Sequence, residues 1–154
     1  MTHWRPEQRV RVVAIGIACR RDELLVMWVE DDAGALKGAR PPGGAVEFGE
    51  RAADALAREF REEFATGIRI TGAPVVLENL FAHEGAAGHE VVFVFPIRLE
   101  AAELYAQDAM TVDEGHGPLV RCAWHPVGAF LDGRLALYPD GLCKLLPGLL
   151  PPPA

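Results

Sequence analysis

Five glutamates fall between positions 47 and 63 of this chain: Glu47, Glu50, Glu59, Glu62 and Glu63. The last three lie in the run Arg58-Glu59-Phe60-Arg61-Glu62-Glu63. On a helix, residues three and four apart share a face, so Glu59 sits beside both Glu62 and Glu63. Like charges so placed repel one another, and a bound cation relieves the repulsion. Oxygen ligands of this kind suit Mg²⁺ or Mn²⁺ rather than zinc. Such an ion neutralises and orients a phosphoryl group and acidifies a bound water. The same residues also read as a solvated acidic face with Arg58 and Arg61 as partners, and charge alone does not separate the two readings. Just upstream, Gly43-Gly44 permits a backbone carbonyl to approach a metal or a phosphate closely.

These groups need a rigid mount. The stretch 50–64 holds good helix formers without Gly or Pro, and Ala52, Ala53, Leu56 and Phe60 give it an apolar stripe. Glu50 and Asp54 suit its positive N-terminal end, and Gly67 is the expected left-handed cap. Residues 9–19 and 23–29 predict an antiparallel hairpin across Arg20-Arg21-Asp22. The acidic stretch 30–40 reads as a loop, and Pro41-Pro42-Gly43-Gly44 as a rigid turn. Strands over 73–82 and 89–99 flank a glycine-containing loop, with His83 and His89 facing each other across it. Residues 91–95 are apolar on both faces and predict a central strand. A long loop over 100–117, a strand over 120–125 and short helices over 126–130 and 139–146 follow. Residues 1–8 form a polar lead-in and 149–154 a proline-rich tail of one domain spanning 1–154. Hairpins before and after the main helix imply a mixed sheet, not a series of βαβ units.

Composition narrows the partners. The 154 residues are 50% hydrophobic and 24% charged, a globular balance, with a net charge of −7. That charge argues against broad nucleic-acid binding but leaves room for a small phosphorylated substrate brought in with a divalent ion. No apolar run is long enough to span a membrane. Cys19, Cys122 and Cys143 lie far apart and form no CxxC pair, which fits free thiols in a reducing, cytoplasmic setting.

Gly44, Glu50, Arg58-Glu59-Phe60 and Glu62-Glu63 stand at the spacing of the Nudix box, and this segment resembles the Nudix hydrolase family across 44–66. Pro42, Gly43, Glu47 and Gly49 fit the common flanks; Ala65 replaces the closing glycine. The resemblance implies an α+β fold, an α/β/α sandwich with a mixed β-sheet between helices and a loop–helix–loop box. It implies hydrolysis of a diphosphate linkage in a nucleoside diphosphate joined to another group, with Mg²⁺ (or Mn²⁺) as cofactor. The metal ligands carried over are the Gly44 carbonyl, Glu59, Glu62 and Glu63, with Arg58 orienting the glutamates and pairing with Glu50 or Glu62. Glu62 is the first choice for the group that takes the water's proton, and Glu114, in Asp113-Glu114-Gly115, is the second; an exposed loop acid is the plain reading of Glu114.

Phe48, Glu47 and Phe81 are the expected substrate contacts. Tyr105 and Trp124 read equally as base-stacking or core aromatics, and Arg5, Arg9 and Arg40 as phosphate-neutralising or merely solubilising. Subfamily tags for ADP-ribose, dinucleoside polyphosphates, coenzyme A and NADH are absent. A homodimer is a further expectation, since dimers are common in the family. Two other readings stand beside hydrolysis: a non-catalytic nucleotide or ADP-ribose binding module, and an isopentenyl diphosphate isomerase-like enzyme, which would need a reactive cysteine.

Overall fold

A computed structural model describes residues 3–152. The first hairpin forms as expected, from β1 (Val10–Arg20) and β2 (Glu23–Glu30), with Arg21 turning the chain at a φ of 54°. The two strands pair only at the turn, Cys19 opposite Leu24 and Arg20 opposite Glu23. Beyond it they splay into two halves of one curled sheet.

In the first half, β1 runs parallel to β7 (Ala86–Leu99), with Val10 opposite His89 and Ala18 opposite Ile97. The other edge of β7 takes β6 (Val75–His83) and β5 (Ile68–Ile70), both antiparallel. Residues 91–95 are therefore central, and their apolar character on both faces follows from that. The β6–β7 turn is tighter than expected. Glu84 and Gly85 alone turn the chain, both at positive φ, as a two-residue hairpin requires. His83 thus pairs with Ala86 and His89 with Leu80, so the two histidines are not opposite each other.

In the second half, β2 lies between β3 (Leu36–Arg40) and β9 (Val120–Pro126), and β9 carries β8 (Ala109–Val112). Two expected loops are corrected here. The end of 30–40 is a strand, held by Trp28 opposite Ala39. The stretch 100–117 contains a 3₁₀ turn at Ala102–Ala106 as well as β8. Nor is Pro41-Pro42-Gly43-Gly44 only a turn: β4 (Gly43–Ala45) pairs with β1, Gly44 opposite Ala14. Gly43 has a φ of 155°, and a Cβ there would lie 2.0 Å from the Ala14 carbonyl oxygen, so a side chain would prevent this pairing.

Alternation along β1 divides the core. Val13, Ile15 and Ile17 face α2 (Val127–Leu131) and α3 (Leu142–Leu149), where Phe130, Leu142 and Leu146 are buried. Ala14 and Ala18 face α1 (Ala52–Phe64), which buries Leu56 and Phe60. The result is the expected α/β/α sandwich around a mixed sheet. No described helix is long and apolar enough to cross a membrane.

Candidate active site

The glutamates are mounted on α1, whose apolar face seats Phe60 and Leu56 against the sheet and leaves the acidic face at its edge. Arg58 draws the segment together. Its Nε donates to Glu50 at 2.8 Å and its Nη2 donates to the other Glu50 oxygen at 3.0 Å, a two-pronged pair. Nη2 also donates to the Ala45 carbonyl at 3.0 Å, and Nη1 to Glu59 at 3.0 Å and Glu62 at 3.4 Å. The guanidinium thus ties β4, the turn before α1 and two of the glutamates to one another. The Glu50 carboxyl is held down at about 2 by Arg58, helped by the Glu47 backbone N–H.

Gly44 meets Glu59 across the gap between β4 and α1. A Cβ at Gly44 would lie 2.4 Å from the Glu59 carboxylate, so the absence of a side chain is what lets the carboxylate sit against the strand. Glu63 lies deeper. One of its oxygens, Oε2, is buried without a hydrogen-bond partner among the described residues. Burial, then the charges of Glu114 and Glu59, push its carboxyl up to about 8, with Arg40 opposing the rise.

A cavity of about 440 Å³ opens over these groups, lined by Glu47, Arg58, Glu59, Glu62, Glu63, Asp113, Glu114 and Gly115. The loop after β8 therefore brings Glu114 to the helix glutamates. Its carboxylate is ion-paired to Arg40 at the end of β3. Arg40 is not merely a solubilising charge, and Asp113 joins the lining. The sequence reading left Arg40 open between phosphate neutralisation and solubility and gave Asp113 no role, because the contacts that place them come from distant segments. By contrast Arg5 pairs with Asp32, and Arg9 with its neighbour Glu7.

The expected substrate contacts separate. Glu47 lines the cavity rim. Phe48 is fully exposed on the loop before α1. Phe81 lies on β6 with its ring over Gly88, where a Cβ would meet it at 2.3 Å, and it is not part of the cavity wall. Tyr105 and Trp124 stack on each other at 5.2 Å, and Trp124 donates to the Leu104 carbonyl at 3.1 Å; both are core.

Among the described residues, no three Asp, Glu, His or Cys side chains already converge as a ligand set. Glu59 and Glu62 are turned to Arg58, and Glu114 to Arg40. The donors nevertheless fit a hard divalent cation: all are oxygens, and Glu63 Oε2 is a buried acceptor with no hydrogen-bond partner among the described residues, which a cation would satisfy.

A family model described as the NUDIX domain matches residues 8–142. No curated protein matches the chain. Among solved structures, it is similar to a NUDIX hydrolase from Nitrosomonas europaea, at 17% identity over 90% of this chain and 87% of that one, with a TM-score of 0.62. It is similar to a MutT NUDIX hydrolase from Burkholderia pseudomallei, at 17% identity over 94% and 100%, with a TM-score of 0.57. It is also similar to the E. coli ORF135 protein, at 24% identity over 90% and 87%, with a TM-score of 0.51. These structures share the fold, and the matched segment takes in β4, α1 and the loop bearing Glu114. The chain belongs to the Nudix family.

Proposed function

We propose that the protein is a divalent-cation-dependent hydrolase of a diphosphate linkage in a nucleoside diphosphate joined to another group. The observation that carries this reading is the partnerless Glu63 Oε2 in a cavity walled by Glu59, Glu62 and Glu114. The Gly44 carbonyl, Glu59, Glu62 and Glu63 would hold Mg²⁺ or Mn²⁺. The ion supplies charge neutralisation for the diphosphate and a lowered pKa for water. Arg58 orients Glu59 and Glu62 while Glu50 and Ala45 hold it in place. Glu62, 58% exposed, reaches solvent and takes the attacking water's proton; Glu114 is the second candidate. The water oxygen bonds to one phosphorus, the bond from that phosphorus to the bridging oxygen breaks, and the bridging oxygen leaves on the other phosphate. Glu47 lines the rim, and the exposed Phe48 next to it in sequence would meet the non-reacting part of the substrate.

An isomerase would need a reactive thiol at this site. Burial pushes Cys19 up to about 11 and Cys122 up to about 12, so neither is a ready thiolate. The test is a product screen with Mg²⁺ over nucleoside triphosphates, ADP-ribose, nucleotide sugars, dinucleoside polyphosphates, NADH and coenzyme A. Chelation should abolish cleavage and Mg²⁺ or Mn²⁺ restore it. Glu62→Gln should lower kcat by about a hundredfold or more without lowering the melting temperature. Tight binding of a panel member without cleavage would favour a binding module instead.

A further inference from the structure

Two guanidinium groups meet the acids of the cavity, and they are not equivalent: Arg58 is part of its wall, whereas Arg40 reaches it through the lining residue Glu114. Arg58 is committed: Glu50, Glu59, Glu62 and the Ala45 carbonyl take its donors, and releasing them would loosen the entry to α1. Arg40 has one polar partner among the described residues, Glu114, and its side chain is 33% exposed. Its backbone is well held, since it closes β3 opposite Met27 and is followed by Pro41-Pro42. Its guanidinium lies close enough to Glu63 to oppose the charge crowding there.

The cavity wall carries six acidic residues, Glu47, Glu59, Glu62, Glu63, Asp113 and Glu114. A diphosphate entering it needs N–H donors as well as a cation, and arginine's planar fork matches phosphate oxygens. We propose that Arg40 is the phosphate-binding residue of this site, and that the Arg40–Glu114 pair is a latch exchanged on binding: Glu114 turns to the cation and Arg40 to the substrate's phosphate. This rests on the hydrolase reading above. One ion pair is given up and two are gained, so no charge is stranded in the cavity. The exchange also orders the binding steps. Until the cation draws Glu114 away, Arg40 is engaged and Glu114 repels the phosphate.

Calorimetric titration of the full chain tests this with two probes. One is Mn²⁺ alone; the other is methylenediphosphonate, whose bridge cannot be hydrolysed, at saturating Mg²⁺. Arg40→Gln should weaken the diphosphonate about tenfold or more while leaving Mn²⁺ affinity unchanged or raised, because a positive charge has gone and Glu114 is free. Arg40→Lys should recover part of the diphosphonate affinity. Glu114→Gln should do the reverse of Arg40→Gln, weakening Mn²⁺ and strengthening diphosphonate binding in the absence of added cation. Opposite signs separate exchange from structural damage, which would lower both affinities together. An Arg40→Gln protein that binds the diphosphonate like wild type, or loses both ligands in parallel, overturns the latch alone. Wild-type protein that binds neither probe overturns the hydrolase reading and the latch with it.

Discussion

Glu63 carries the least favourable charge in the cavity. Burial and its acidic neighbours raise its carboxyl from the ordinary 4.5 to about 8. The unfolded chain releases this proton near 4.5, whereas the folded chain keeps it to about 8. Between those values the folded state holds the extra proton, so Glu63 makes stability fall as pH rises through that window. Glu50 acts the other way: held at about 2 by Arg58, it adds stability above 4.5 that is lost as pH falls through about 2. Metal-free protein should therefore melt lower at about pH 8.5 than at about pH 6. Glu63→Gln should flatten that difference and raise the melting temperature at the higher pH, as scanning calorimetry at both pH values would read. An unchanged profile would mean that Glu63 titrates normally. At this scale the sequence is informative only where contacts are local. The Glu59, Glu62 and Glu63 cluster follows from helical spacing within α1, whereas the Arg58–Glu50 pair, eight residues apart and reaching back before the helix, was expected only from the resemblance to the Nudix box. The Arg40–Glu114 pair joins residues 74 positions apart, and no periodicity announces it. Phe81 shows the opposite failure: an aromatic at plausible spacing, whose ring is occupied in covering Gly88.

At the scale of elements, the closing end of α1 departs most from the sequence expectation. The helix does not run on to Gly67. It ends at Ala65, which adopts the left-handed conformation at φ 52° and ψ 38°. There the Ala65 N–H donates to the Arg61 carbonyl and the Thr66 N–H to that of Phe60. Gly67 has another task. The Glu100 carboxylate lies 2.2 Å from where its Cβ would be, and the Gly67 carbonyl accepts from the Glu100 N–H at 3.0 Å. The substitution in the box thus leaves the geometry in place and forces alanine into a backbone state that suits glycine. Ala65→Gly should stabilise the protein by about 1 kcal/mol, raising the melting temperature by a few degrees without moving kcat. No gain would mean that the glycine's greater unfolded-state entropy cancels the relief. The long amphipathic helix and the first hairpin were legible because each carries its own periodicity. The strands β3, β4 and β8 were not. Each has five residues or fewer, too short to carry a period of its own; β3 and β8 are seen only once they pair with the neighbouring strands β2 and β9, β4 pairs with β1 about thirty residues back, and Pro41-Pro42 between β3 and β4 reads locally as a break.

For the whole molecule, the sheet separates stability from chemistry. Its two apolar layers are distinct: Leu142 and Leu146 with Val13 and Ile15 on one face, Leu56, Phe60 and Phe64 with Leu25 and Met27 on the other. Only the second layer supports the glutamates. Phe60 stands between Glu59 and Glu62 in sequence, is fully buried, and stacks on Phe64 at 5.2 Å. It also approaches Gly16, where a Cβ would meet its ring at 3.2 Å. Truncating either layer creates a cavity, but the consequences should differ. Leu146→Ala should cost about 2–5 kcal/mol and leave kcat at the wild-type value below its lowered melting temperature. Phe60→Ala should cost about 3–5 kcal/mol and also lower kcat, because α1 loses the anchor that sets its glutamates against Gly44. Assaying both variants well below their melting points, against the best substrate of the product screen, separates lost structure from misplaced ligands. Equal kcat losses in the two would mean that the layers are coupled through the sheet. A Phe60→Ala protein with unaltered kcat would mean that Arg58, through Glu50 and the Ala45 carbonyl, holds the site by itself.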